Sequence, residues 1–115
     1  MVSRKFIATA SLAAAAAVAL ELWRQRPGAS LEGQVALITG GSRGLGFLLA
    51  REFAREGCRV AICARDEREL ARAKVRLEAE GAEVLAVPCD ISDRSQVENL
   101  VTQVNDRFGR VDIIV

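Results

Sequence analysis

The sequence predicts an α/β fold: a parallel, doubly wound sheet of about four strands with helices on its faces, preceded by an N-terminal hydrophobic helix. Three observations carry that reading. From residue 34 onward, short apolar runs alternate with stretches of helical periodicity. The connections between them are short, so consecutive strands lie parallel with right-handed crossovers. The first apolar run also ends in a glycine cluster that opens directly into a helix. Half of the 115 residues are hydrophobic and 27% are charged, which suits one domain and is too apolar for a disordered chain.

Residues 1–26 form a basic, alanine-rich leader in which Arg4, Lys5, Arg24 and Arg26 face one acid, Glu21. Residues 6–20 are uncharged, with eight alanines among 15 residues. As a helix, residues 6–23 would reach about 27 Å at ~1.5 Å per residue, a little under a bilayer core of ~30 Å. Three readings stay open. One is a membrane anchor bordered by Trp23 and the arginines after it; another is a cleaved secretory signal processed near Ala17-Val18-Ala19; the third is a buried helix. Residues 27–33, beginning Pro27-Gly28-Ala29-Ser30, read as a linker.

The body, residues 34–115, then proceeds element by element. Val35-Ala36-Leu37-Ile38-Thr39 is a buried strand. Leu45, Leu48, Leu49 and Phe53 recur at helical spacing, and Gly57 ends that helix. Residues 59–64 (RVAICA) form the second strand. Asp66 caps a helix carrying Leu70, Ala73 and Leu77, with Glu69 placed for a capping box. Residues 83–87 form the third strand. Asp93 and Gln96 repeat the cap signature ahead of Val97, Leu100, Val101, Val104 and Phe108, an amphipathic series closed by Gly109. Residues 111–115 (VDIIV) open a fourth strand, and the chain stops there in mid-strand. Four strands leave a sheet edge without a partner, so the sequence is expected to be part of a protein near twice its length.

Absences narrow the chemistry. With no His and no Tyr, the chain holds no histidine-ligated metal site, no Ser-His-Asp or Cys-His centre and no tyrosine acid. A net charge of +1 gives no support for nucleic-acid binding. Cys58, Cys63 and Cys89 have neither C-x-x-C nor metal spacing and read as reduced core residues.

The informative segment is Thr39-Gly40-Gly41-Ser42-Arg43-Gly44-Leu45-Gly46. Glycines let the backbone turn sharply and approach a diphosphate without Cβ clashes, and Gly46 lets the helix pack closely on the strand. The helix N-terminus offers unpaired N–H groups and partial positive charge to the phosphates. Between a buried strand and an amphipathic helix, this arrangement is specific for a dinucleotide. No Gly-Lys-Ser/Thr follows, which excludes a Walker loop.

The spacing T-G-x-x-x-G-x-G, Cys89-Asp90-Ile91 after the third strand, and Gly109-Arg110-Val111-Asp112 leading into Ile113-Ile114-Val115 together resemble the short-chain dehydrogenase/reductase family over residues 31–115. The resemblance implies a Rossmann-like sheet and an oxidoreductase that transfers a hydride between a nicotinamide cofactor and a carbonyl or alcohol. It also implies that Asp90 accepts a hydrogen bond from the adenine amino group with Ile91 beside the ring, and that the full-length protein is a homo-oligomer. The family's Ser, Tyr and Lys would lie beyond Val115, so no catalytic residue is assigned and the 115-residue chain is itself expected to be inactive.

At the end of the second strand, where an acid would grip a ribose 2′-hydroxyl, stand Ala64 and Arg65. A small residue leaves room for a 2′-phosphate, and a guanidinium can grip one bidentately. With Arg43 in the glycine loop this points to NADP(H). The expected cofactor site is Gly40, Ser42, Arg43, Gly44, Leu45, Gly46, Arg65, Asp90 and Ile91, and no metal is expected. Need for a reduced cofactor would put the body on the cytoplasmic side of a membrane, associated through residues 6–23; a soluble cytoplasmic protein is the alternative. Competing functions are a membrane-associated long-chain keto-lipid reductase, a soluble reductase of a small carbonyl, and a non-catalytic dinucleotide-binding sensor.

Overall fold

A computed structural model of the chain describes residues 14–19, 21–22 and 30–115. The chain divides into two compact units, residues 1–31 and 32–115. In the first, residues 14–19 and 21–22 are helical, with Val18 and Leu22 exposed. Most of the expected leader, residues 6–23, lies outside the described residues. Among the described residues no helix is long and apolar enough to cross a membrane, so the anchor reading finds no support. Of the expected span, only residues 14–19 and 21–22 are described, far fewer than the ~20 apolar residues a bilayer crossing needs.

The second unit follows the expected alternation. Its elements are β1 (Val35–Thr39), α1 (Gly44–Arg55), β2 (Arg59–Ala64), α2 (Glu67–Ala79), β3 (Val84–Pro88), α3 (Arg94–Phe108) and β4 (Ile113–Ile114). All pairings are parallel and the strand order is β3-β2-β1-β4. The chain thus works outward from β1 to β3, then returns to the other side of β1. That reversal is the point at which open α/β sheets place ligands, beyond the strands' C-terminal ends.

Alternation along the strands sorts the core into two faces. Val35, Leu37, Ala61, Cys63, Val87 and Cys89 form one buried cluster with Leu100, Val104 and Phe108 of α3. Ala36, Ile38, Val60, Ile62 and Val84 point the other way, toward the side where α1 and α2 pack on β1, β2 and β3. Helices on both faces make the sheet doubly wound. The helices α1 and α2 are joined by Arg55, which reaches Glu52 at 3.1 Å and Glu80 at 3.0 Å, and by Arg76 over the Phe47 ring at 4.3 Å.

Some details differ from the sequence expectation. In α1 the most buried residues are Phe47 and Ala50, while Leu48 is 44% exposed. The periodicity was right, but the rotation of the helix about its axis brings a neighbouring stripe to the sheet. Val101 of α3 is exposed for the same reason. The fourth strand is formally two residues, yet backbone bonds continue on both sides: Asp112 N–H to Val35 O, Val115 N–H to Leu37 O and Thr39 N–H to Val115 O, each 2.9 Å.

Candidate functional site

The C-terminal ends of β1, β2 and β3 open onto a cleft of about 650 Å³. The loop after β1 supplies Gly40, Ser42 and Arg43 to its lining; the end of β2 supplies Cys63 to Asp66; the segment after β3 supplies Cys89 to Ser92; and α2 contributes Glu69. Of the nine residues the sequence singles out, Gly40, Ser42, Arg43, Arg65, Asp90 and Ile91 meet here. Gly44, Leu45 and Gly46 do not line the cleft; they form the first turn of α1.

The turn is built from backbone. Gly40 adopts φ +65°, a conformation that favours glycine, and the Gly41 N–H donates to the Cys63 carbonyl at 3.2 Å. That bond pins the loop to β2. Gly46 is required for space: a Cβ there would collide with the Gly40 carbonyl oxygen and lie 2.8 Å from its carbon. The close approach is therefore to the loop itself rather than to the strand. Gly41, which sequence reasoning passed over, is equally confined, since a Cβ would sit 2.7 Å from Ile62 Cγ2.

Helix ends distinguish this site from its surroundings. Asp66 caps α2 by accepting from the Arg68 and Glu69 N–H groups, and Asp93 caps α3 by accepting from those of Ser95 and Gln96. At α1 the capping position is Arg43, whose side chain makes no cap bond, and no acidic residue stands in the first turn. Its leading amides, Gly44 to Gly46, have no i−4 carbonyl within the helix, and the helix dipole favours an anion beside them.

The charged groups around the cleft are arranged in opposed pairs. The Arg43 guanidinium is 3.5 Å from the Glu69 carboxylate, with the arginine side chain 80% exposed and the glutamate 33%. Asp90 accepts from Ser92 through both its hydroxyl, at 2.7 Å, and its N–H, at 3.0 Å. Those bonds, with help from the Arg65 charge, hold the Asp90 carboxyl below the usual carboxylate range. Asp90 thus stays an anionic acceptor. The Gln96 side chain accepts from the Asp90 N–H at 2.8 Å, which fixes the loop after β3 to the start of α3. Ile91 stands 62% exposed at the rim. Beneath it, Cys63 and Cys89 are buried free thiols, both pushed upward in pKa chiefly by desolvation.

The donor set suits a dinucleotide on physical grounds. Two exposed guanidinium groups and one anionic acceptor share a single cleft, and the glycine turn on its lining leads directly into the uncapped start of α1. Glu69 was the group the sequence did not announce, because its spacing from Asp66 signals only a helix cap.

The sequence profile described as short chain dehydrogenase matches residues 34–115. A tropinone reductase homolog of Arabidopsis thaliana is 44% identical over 96 residues, covering 83% of this chain and 36% of that protein. A short chain dehydrogenase/reductase from Burkholderia phymatum, solved in complex with NAD, superposes with a TM-score of 0.73 at 36% identity, covering 74% of this chain and 30% of that one. A metagenomic short-chain oxidoreductase in complex with NADP gives 0.68 at 36% identity, covering 72% and 38%. The chain spans about a third of the length of these relatives.

Proposed function

The chain belongs to the short chain dehydrogenase family, and from that premise we propose that residues 34–115 are the NADP(H)-binding part of an oxidoreductase acting on a carbonyl or alcohol. The observation that carries the reading is the pair Arg43 and Arg65 on one cleft, with no acid at the residue that follows Ala64. In an NAD site that position would carry a carboxylate for the ribose 2′-hydroxyl. Two guanidinium groups instead suit a 2′-phosphate, which carries close to two negative charges.

Each residue then has a task. The N–H groups of Gly44, Leu45 and Gly46 hold the pyrophosphate at the start of α1, and Gly40 keeps the turn open to it. Asp90 accepts from the adenine amino group, and Ile91 covers one face of the ring. Arg43 and Arg65 select the 2′-phosphate. The bound nicotinamide supplies hydride transfer, and this chain's residues bind and orient the dinucleotide. The tyrosine that the family resemblance implies for proton transfer is not among these 115 residues, so the chain assayed alone with NADPH and carbonyl compounds is expected to show no turnover.

Titration of the chain with NADP+ and NAD+ by calorimetry tests the reading. NADP+ should bind at least tenfold tighter. Arg65→Ala should remove about 1.5–3 kcal/mol from NADP+ binding, the range of a charge-assisted contact, and leave NAD+ nearly unchanged. Equal affinities in the unmodified chain, or no loss in the variant, would refute the NADP assignment.

A further inference from the structure

We propose that Glu69 is a specificity-determining residue, setting the preference between the two nicotinamide dinucleotides by competing with a 2′-phosphate for Arg43. The proposal rests on the reading of the cleft as an NADP(H) site. Its basis is the departure of Glu69 from the role its position predicts. At the third position of α2, behind an aspartate cap, a glutamate ordinarily folds back onto the capping residue's N–H. Here the backbone half of that motif is present, with the Glu69 N–H donating to Asp66 at 3.0 Å. The carboxylate instead extends from α2 to the glycine loop and pairs with Arg43 at 3.5 Å.

The two partners differ in freedom. Arg43 is 80% exposed on a loop, whereas Glu69 is 33% exposed on a helix, so the acid is the fixed member and the guanidinium the movable one. The other acids on the cleft are engaged elsewhere: Asp66 with the first amides of α2, Asp90 with Ser92. Glu69 alone among these three carboxylates forms an ion pair with an arginine that faces the cleft.

Consequences differ for the two cofactors. A 2′-phosphate that recruits Arg43 must displace a carboxylate as its partner and then remain beside it, like charge against like charge. A 2′-hydroxyl makes no such demand, and the Arg43–Glu69 pair can persist. Glu69 therefore penalises NADP(H) selectively, keeping the preference below what two arginines would otherwise give.

Binding of NADP+ and NAD+ to the 115-residue chain, to Glu69→Gln, to Arg43→Ala and to the double variant tests this at fixed ionic strength. Glutamine keeps the size and an acceptor oxygen but not the charge. Glu69→Gln should tighten NADP+ about five- to tenfold and move NAD+ less than twofold. In the Arg43→Ala background the gain should fall below twofold, because the competition acts through that guanidinium. If the unmodified chain prefers NADP+ but Glu69→Gln leaves the ratio unchanged, or the gain persists without Arg43, this inference is wrong while the cofactor assignment stands. If the unmodified chain shows no preference, the cofactor assignment itself fails and takes the inference with it.

Discussion

Gly46 shows what one hydrogen in place of a methyl group contributes to this site. Its constraint is close approach, since its backbone needs no positive φ while the Gly40 carbonyl occupies the place a Cβ would take. Alanine there would have to push the glycine loop off the start of α1, and the loop is held on its far side by the Gly41 N–H bond to Cys63. Neither side can yield cheaply. Gly46→Ala should therefore cost about 1–3 kcal/mol in urea unfolding, the range for overpacking a tight contact. It should also weaken NADP+ binding by more than tenfold, because the amides of the first turn move with the loop. A variant with unchanged unfolding midpoint would show that the loop relaxes freely. The sequence identifies Gly46 as a packing glycine from its spacing alone. It does not identify Gly41, whose neighbour is Ile62, 21 positions away on another strand.

Among the elements, strands were the most legible and helix faces the least. The runs 35–39 and 59–64 match β1 and β2 residue for residue, because buried parallel strands leave a continuous apolar record. The third is displaced by one residue and ends at Pro88, which an edge strand tolerates since its outer side needs no donor. Helical periodicity gives the width of an apolar stripe but not which flank meets the sheet, so Leu48 and Val101 were expected inside and lie outside. Cap chemistry was legible at Asp66 and Asp93, and its absence at Arg43 is the signal that marks the anion-receptive helix. What no local pattern reveals is a side chain that leaves its own helix, as Glu69 does for Arg43. The caps carry a direct test. Asp66→Ala leaves the Arg68 and Glu69 N–H groups without their acceptor and should lower the stability of the chain by ~1 kcal/mol in urea unfolding. Asp66→Asn, which retains an acceptor oxygen, should recover most of that loss; equal losses in both variants would mean that Asp66 does not act as a cap.

Across residues 32–115 as a whole, stability should depend on pH from two opposite directions. Asp90, Asp93 and Asp112 all have carboxyl groups held below their ordinary range, each chiefly by side-chain hydrogen bonds: from Ser92, from Ser95 and from Arg110 respectively. Unfolding returns them to ordinary values, so the unfolded chain takes up protons first as the solution is acidified. Their contribution is complete above the normal carboxylate range, about pH 4 to 5, and is lost as pH falls through the depressed folded values. The buried thiols act in the reverse sense. Burial raises all three, Cys58 to about 11, so the folded chain keeps protons that the unfolded chain would release. Their contribution is complete below an ordinary thiol pKa of about 8.5 and declines as pH rises through the folded values. Urea midpoints measured from pH 3 to 10 should consequently form a plateau between about pH 5 and 8, falling away on both sides. Of these three aspartates Asp112 reaches furthest along the chain, since it accepts from the Val35 N–H at 2.8 Å and so joins the entry to β4 with the start of β1. Asp112→Asn keeps an oxygen for Val35 but loses the charge that attracts Arg110. It should lower the plateau and flatten the acid limb, and it should move the alkaline limb only slightly, since burial is the main cause of the raised Cys58 thiol and the Asp112 charge adds to it. An acid limb of unchanged slope in that variant would show that Asp112 is not among the groups whose protonation unfolds the sheet.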